Sequence, residues 1–102
     1  MTISKELLSK VLHGDIQEFT LNNEKNIDFI FIGNYDEWKT INIYELTHKC
    51  KEWALNKECE LSSWVDGRCG VIIKGEEMWA ELDTEPEAIF QACEWILEQE
   101  NK

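Results

Sequence analysis

The chain has 102 residues, 43% of them hydrophobic, and a formal net charge of −11 from ten basic and twenty-one acidic residues. This length and apolar fraction predict one folded domain over residues 1–102 and exclude a disordered chain. The negative charge disfavours direct binding to nucleic acid and to anionic membranes, which would repel the protein.

The sequence predicts a cytoplasmic protein that holds no metal or cofactor. It contains no apolar run long enough to cross a bilayer and no signal-peptide core at its N-terminus. Its four cysteines are therefore expected to be reduced thiols, and their spacing includes no C-x-x-C pair. We expect them to act as small buried hydrophobes; a metal site made from His48 and the cysteines is the alternative.

The first third of the chain predicts one helix and two strands. A short amphipathic helix is expected over residues 3–12, with Thr2 as its cap and Gly14 after its last apolar position. Two strands follow over residues 15–33, on either side of the polar turn "NNEK". The second strand, "IDFIFIG", is apolar on both faces and is expected to be covered on both sides. The next segment, "NYDEWKT", is predicted to be a polar loop that exposes Trp38.

Two further helices are predicted from their capping residues. Asn42 is expected to cap a helix that begins at Ile43, and Thr84 a closing helix that has Glu87 at its third position. The apolar stripes, at helical spacing, are Ile43, Leu46, Cys50, Trp53 and Ala54 in the first, and Ile89, Ala92, Cys93 and Ile96 in the second. Trp95 is expected to lie outside the second stripe, beside two glutamates.

Three strands are predicted between these helices from their turns. "VDG" suits a three-residue hairpin with Gly67 in the left-handed region, which pairs Leu61 with Val71. Gly75-Glu76 suits a two-residue loop, which pairs Val71 with Ala80. Both registers place the same residues on one apolar face: Cys59, Leu61, Cys69, Val71, Ile73, Met78, Ala80 and Leu82. We therefore predict an α+β fold in the order α-β-β-α-β-β-β-α, with an antiparallel sheet of about five strands and two C-terminal helices packed on one face.

The opposite face of this sheet is mixed in character. It is predicted to carry Glu60, Trp64, Arg68, Gly70, Ile72, Lys74, Glu77, Trp79, Glu81 and Asp83. Trp64 and Arg68 are placed to form a cation–π pair, and Gly70 is expected to leave a notch. This face is covered by the first helix or the first hairpin, or it is open; an open face would be an aromatic and acidic surface suited to binding a protein.

Negative charge is concentrated near the end of the chain. Residues 75–102 contain nine acids and one base, so they carry −8 of the total −11. This asymmetry has two interpretations. It is simply the mark of a soluble acidic protein, or it steers a cationic partner and imitates the phosphates of nucleic acid.

Recognisable catalytic motifs are absent from the sequence. It has no glycine-rich phosphate loop, no H-E-x-x-H and no G-x-S-x-G. His48 and Cys50 lie two residues apart on a predicted helix, so their side chains diverge. We expect a protein that is not an enzyme.

Three segments, "MTISKELLSKVLHG", "NIYELTHKCKEWA" and "TEPEAIFQACEWILEQ", resemble the small accessory proteins encoded by tailed phages and prophages. The resemblance implies a protein that works in the host bacterial cell. Many small acidic phage proteins bind a host protein, and anti-CRISPR and other anti-defence inhibitors belong to that class. The resemblance supplies no catalytic residues.

Together these observations predict a protein-binding inhibitor of a bacterial defence or nucleic-acid-handling protein. Its partner is expected to be a host protein with a basic surface. The predicted contact residues are Trp64, Trp79, Glu81, Asp83, Glu85, Glu87, Glu94, Trp95 and Glu98. The alternatives are a self-associating structural module, such as a homodimer, and a small enzyme or ligand-binding domain built around the Gly70 notch.

Overall fold

The computed structural model of the protein describes residues 3–22, 25–31 and 38–101. Within this part the chain forms three helices and six strands in the order α-βββ-α-βββ-α. These elements are α1 (Lys5–Leu12), β1 (Ile16–Asn22), β2 (Asn26–Phe31), β3 (Trp38–Asn42), α2 (Ile43–Asn56), β4 (Glu60–Ser63), β5 (Arg68–Ile73), β6 (Glu76–Glu81) and α3 (Glu85–Glu100). The strands make two antiparallel sheets, β1-β2-β3 and β4-β5-β6.

The predicted α+β class is confirmed, but the predicted single sheet and the pair of C-terminal helices are wrong. Residues 38–40 of strand β3 fall in the segment predicted to be a polar loop, because only Ile41 is buried in the strand and the apolar alternation is too short to recognise. Residues 34–37 of that predicted loop lie outside the described residues. The chain passes directly from β3 into α2, which therefore separates two sheets of three strands, and α3 is the one C-terminal helix.

Helix α1 is capped by Ser4 instead of the predicted Thr2, which lies outside the described residues. The Ser4 hydroxyl accepts a hydrogen bond from the Leu7 backbone N–H at 3.0 Å. The helix ends at His13, which adopts the left-handed conformation with φ of 57° and donates its N–H to the Ser9 carbonyl. The Ser9 hydroxyl then accepts the Ile16 N–H at 3.0 Å, and this bond fixes the start of β1.

The first sheet confirms the predicted hairpin around "NNEK". Strands β1 and β2 pair from Asn22 and Asn26 outward, and β3 adds to the other edge of β2. On β2, Ile27 and Phe29 are buried, whereas Asp28 and Ile30 on the other face are half-buried. The expected coverage on both sides is therefore only partial in the described part of this strand.

Both long helices begin at their predicted caps. The Asn42 side chain accepts the Tyr44 N–H at 2.9 Å, and the Thr84 hydroxyl accepts the Glu87 N–H at 3.4 Å. All nine residues of the two predicted apolar stripes are buried. Helix α3 buries four more, Pro86, Ala88, Phe90 and Leu97, because it packs against α1, α2 and the second sheet at once.

The second sheet confirms the predicted apolar face and the first of its two registers. Leu61 pairs with Val71, as predicted. In the second hairpin Val71 pairs with Met78 instead of Ala80, because the two-residue turn is Lys74-Gly75, with φ of 48° and 84°, and not Gly75-Glu76. This shift of two positions leaves every side chain on its predicted face, since side chains alternate with a period of two.

Candidate binding surface

One side of the second sheet is buried, and the other side is exposed to solvent. We call the exposed side the outer face. It is a grid of nine residues from β4, β5, β6 and Trp64, the residue directly after β4. Its three rows are Glu60–Ile72–Glu77, then Ser62–Gly70–Trp79, then Trp64–Arg68–Glu81. Helix α3 packs against the opposite, apolar side of the same three strands. The helix thus supports the grid from its buried side.

Two tryptophans and an arginine stack across the outer face. The Arg68 guanidinium lies over the Trp64 ring, 5.3 Å from its centroid, as predicted. Trp64 in turn stacks on Trp79, with 5.9 Å between ring centroids and 27° between ring planes. Such offset aromatic pairs contribute about 0.5–1.5 kcal/mol beyond their buried area.

Gly70 does not leave the empty notch that its lack of a side chain suggested. The six-membered ring of Trp79 lies directly over it, and a Cβ at this position would approach that ring to 2.8 Å. Glycine therefore allows the indole to lie flat across β5. A shallow depression of about 90 Å³ remains beside the ring, with Ile72 and Gly70 among its lining residues. It is far smaller than the roughly 300–1,000 Å³ of a typical ligand pocket.

The outer face is open. Trp79 is 64% exposed, Ile72 40% and Trp64 39%. Helix α1, one of the elements proposed as a cover, packs instead on β1, α2 and α3. Exposed aromatic side chains in a contiguous group are typical of protein interfaces.

The charges on the outer face are mostly negative. Glu60, Glu77 and Glu81 are all exposed. The one arginine of the grid is neutralised by its neighbour, because Arg68 Nε donates to Asp66 Oδ2 at 2.9 Å. The indole N–H of Trp79 donates to Glu77 at 3.4 Å, so this carboxylate lies beside the more exposed of the two aromatic rings on the outer face.

The predicted contact residues do not form one surface. Trp64, Trp79 and Glu81 belong to the outer face, and Asp83 is an exposed residue just after β6. The rest lie at the start of α3 or along it, and α3 is on the other side of the sheet: Glu85, Glu87, Glu94, Trp95 and Glu98.

Several of the acids on α3 take part in local structure. Glu85 accepts the Ser63 hydroxyl at 2.7 Å, and Glu87 accepts the Thr84 hydroxyl at 3.1 Å. Trp95 lies outside the buried stripe of α3, as expected, but it is half-buried and packs against the core. Glu98 is exposed.

Glu94 has a structural role that the sequence pattern does not reveal. Its carboxylate accepts the Ser4 N–H at 2.8 Å and so joins α3 to the start of α1. We expect Glu94→Ala to lower the free energy of unfolding by about 1–2 kcal/mol, since it removes a charged acceptor from a partly buried N–H. Glu98→Ala, on the same helix, should stay within about 0.5 kcal/mol. Urea denaturation of both variants compares them; equal effects would refute this role.

Six outer-face residues are missing from the predicted contact set: Glu60, Ser62, Arg68, Gly70, Ile72 and Glu77. All of them except Ser62 are among the residues predicted for this face, but nothing in the sequence decides whether the face is covered. The signal that groups them is the cross-strand register, which places Ile72 between two glutamates and Gly70 beneath an indole.

All four cysteines are buried free thiols, as predicted. The Cys93 thiol lies 3.7 Å from the Cys50 carbonyl oxygen and donates to it. Among residues 3–22, 25–31 and 38–101, no cluster of three or more histidine, cysteine or acidic side chains is arranged to hold a metal. His48 is exposed and pairs with Glu52 at 3.0 Å, so it diverges from the buried Cys50.

Burial of Cys69 predicts a loss of stability at high pH. Burial raises the pKa of this thiol from 9.0 to about 11, because the thiolate loses hydration. Below pH 9 the thiol is neutral in both states; above it the unfolded chain ionises first, so the free energy of unfolding falls as pH rises from about 9 to 11. Melts across this range should show a shallower decline for Cys69→Ala; an unchanged slope would contradict the assignment.

A second concave region lies where α2 and α3 both end. It has a volume of about 520 Å³, and its lining includes Ile73, Lys74 and Ile96. Lys57 and Glu100, both on its wall, form an ion pair at 3.0 Å. The charged groups that line this region are mixed in sign: Lys57, Lys74, Glu58, Glu76 and Glu100.

Comparisons with known proteins do not assign this chain to a family. In the described part of the chain, no helix has both the length and the apolar character that a membrane span requires. The chain matches no protein-family model, no curated protein and no solved structure.

Proposed function

We propose that this protein acts by binding another protein through its outer face, and that the partner carries a basic surface. The observation that supports this most is the open Trp64–Trp79 stack. A protein that needed these rings only for stability would bury them, since exposed indole area adds nothing to the hydrophobic core. Tryptophan is also the residue type most enriched among the dominant contacts of protein interfaces.

Charge supports a basic partner. Three exposed glutamates border the aromatic stack, and the whole molecule carries −11. A field of this sign attracts a cationic surface over distances up to the Debye length and speeds encounter with it. Proteins that handle nucleic acid have such surfaces.

The specific function we propose is inhibition of a bacterial defence or nucleic-acid-handling protein. It rests on the likeness to phage accessory proteins, of which anti-CRISPR proteins are one kind. The carboxylates of the outer face would occupy the positive groove that otherwise holds phosphates. In this proposal the contact surface lies on the second sheet and no longer includes the acids of α3.

Self-association through the outer face is the rival. Each of two copies that met there would bring three exposed glutamates, Glu60, Glu77 and Glu81, to the interface, and the net charges of the copies would repel. Sedimentation at low salt separates the cases. We expect a monomer at every concentration, and a dimer that strengthens at low salt would contradict the proposal.

Capture of the partner and substitution of Trp79 test the proposal. Trp79→Ala should weaken binding to a partner captured from bacterial lysate by about 30-fold or more, the effect of losing a dominant interface contact. Trp38→Ala is the matched control, since Trp38 is also exposed but lies on the first sheet, and its effect should stay below about threefold.

Two further readouts address the mechanism of inhibition. Raising the salt concentration should release the partner, because screening weakens attraction between exposed charges. A labelled nucleic acid bound to the purified partner should be displaced by this protein. A complex in which partner, nucleic acid and protein coexist would contradict competitive inhibition.

A further inference from the structure

We propose that the outer face recognises an arginine side chain of its partner, seated in the shallow depression beside Gly70. This inference deepens the proposed function and rests on it. It commits to one chemical group, a guanidinium, within the basic surface that the partner presents.

The protein already holds one arginine on this face in the manner that we propose for the second. Arg68 stacks on Trp64 while its Nε donates to the carboxylate of Asp66. A planar guanidinium suits both contacts, because its face stacks on an indole and its edge donates to carboxylates.

Trp79 also places an indole beside a carboxylate, and although its ring lies over Gly70 and stacks on Trp64, the residue is 64% exposed to solvent. Its ring is more exposed than that of Trp64, and Glu77 accepts a hydrogen bond from its indole N–H. Trp79 therefore provides an indole and a carboxylate in the same combination that holds Arg68.

The depression beside Trp79 completes the site. Its lining includes Trp79, Gly70 and Ile72, an apolar floor for the aliphatic part of an arginine side chain. Glu60, which also lines it, and Glu77 stand on the strands either side of Ile72. Adjacent strands are about 4.8 Å apart, so the two carboxylates start roughly 10 Å from each other and both reach a guanidinium placed between them.

The volume is consistent with one side-chain head. A depression of about 90 Å³ holds neither a nucleotide nor a peptide. Arginine is favoured over lysine because lysine presents a compact, strongly hydrated charge that makes no planar stack.

N-acetyl-arginine amide titrated at low salt tests the inference without the partner. The indole N–H signals of Trp64 and Trp79 should shift in the nuclear magnetic resonance spectrum, while those of the other tryptophans stay in place. N-acetyl-citrulline amide has the same shape but no charge, and it should bind at least about tenfold more weakly. Absence of the arginine shifts, or equal shifts with citrulline, would overturn the inference.

Carboxylate variants provide the second arm. Glu60→Gln with Glu77→Gln should weaken arginine amide binding about tenfold, and Glu45→Gln with Glu98→Gln, exposed acids on α2 and α3, should not change it. If a captured partner needs Trp79 but tolerates the Glu60 and Glu77 pair of substitutions, the proposed function stands and the arginine site is wrong. If the arginine amide binds this face but the partner ignores Trp79→Ala, the proposed function is wrong.

Discussion

Substituting Gly67 with alanine should lower the free energy of unfolding by about 3 kcal/mol or more. Gly67 is buried in the β4–β5 turn with φ of 97°, a conformation that side chains rarely adopt. A Cβ there would overlap the Leu82 carbonyl oxygen and come within 3.2 Å of the Thr84 backbone nitrogen. Both are backbone atoms that cannot rotate away.

The same turn organises the outer face. Gly67 donates its N–H to the Trp64 carbonyl at 3.1 Å and accepts the Leu82 N–H at 2.9 Å. Displacing it would move Trp64 relative to Trp79. We therefore expect a changed near-ultraviolet circular dichroism spectrum in addition to the lower stability.

Gly75→Ala is the matched control for this prediction. Gly75 also has a positive φ, of 84°, but nothing lies within 4 Å of a Cβ built there. Only the cost of placing an alanine in the left-handed backbone conformation remains, about 1–2 kcal/mol. Guanidinium denaturation of both variants gives the comparison, and equal losses would show that the contact with Leu82 does not matter.

Phe90→Ala should lower the free energy of unfolding by about 3–5 kcal/mol. Among the residues whose burial the structure describes, Phe90 is the largest side chain with no exposed surface, and α3 carries it into the core shared by all three helices and both sheets. Domains are stable by roughly 5–15 kcal/mol in total, so this change would remove a large share.

An exposed neighbour provides the control for Phe90. Gln91→Ala lies one position further along α3 and should change stability by about 0.5 kcal/mol or less. Thermal and urea denaturation measure both. A loss below about 1.5 kcal/mol for Phe90→Ala would mean that the core closes around the missing ring.

Capping and periodicity predicted the helices because these signals are local. Asn42 and Thr84 cap where their sequences indicate, and the buried stripes follow helical spacing. Phe90 was not predicted to lie in the core, because its burial depends on tertiary packing. The four predicted core positions of α3 span about 100° of its circumference, but packing against α1, α2 and the second sheet widens the buried arc to about 200°.

The division into two sheets could not be read from the sequence. Strand β3 buries one residue, Ile41, so the alternation of apolar and polar residues gives no usable signal there. Its pairing with β2 joins residues that are far apart in the sequence. The second hairpin shows a similar limit. Lys74 adopts φ of 48°, which a rule that assigns this conformation to glycine alone does not anticipate.

Part of the candidate surface could be predicted and part could not. Turn chemistry placed Trp64, Arg68 and Trp79 on one face, because alternation along paired strands follows from register. Whether that face was open depended on where the other elements pack. The many acids along α3 suggest a binding surface there, but closeness in the sequence does not place α3 on the same side of the sheet as Trp64 and Trp79.

Hydroxyl-radical footprinting of the tryptophans, with and without the captured partner, bears most directly on how this protein works. Trp79 and Trp38 are exposed to similar extents, 64% and 50%, on different sheets, so the free protein should be oxidised at both. We predict that the partner protects Trp79 and Trp64 and leaves Trp38 reactive. Protection of Trp38, with Trp79 oxidised as fast as in the free protein, would contradict a docking role for the second sheet.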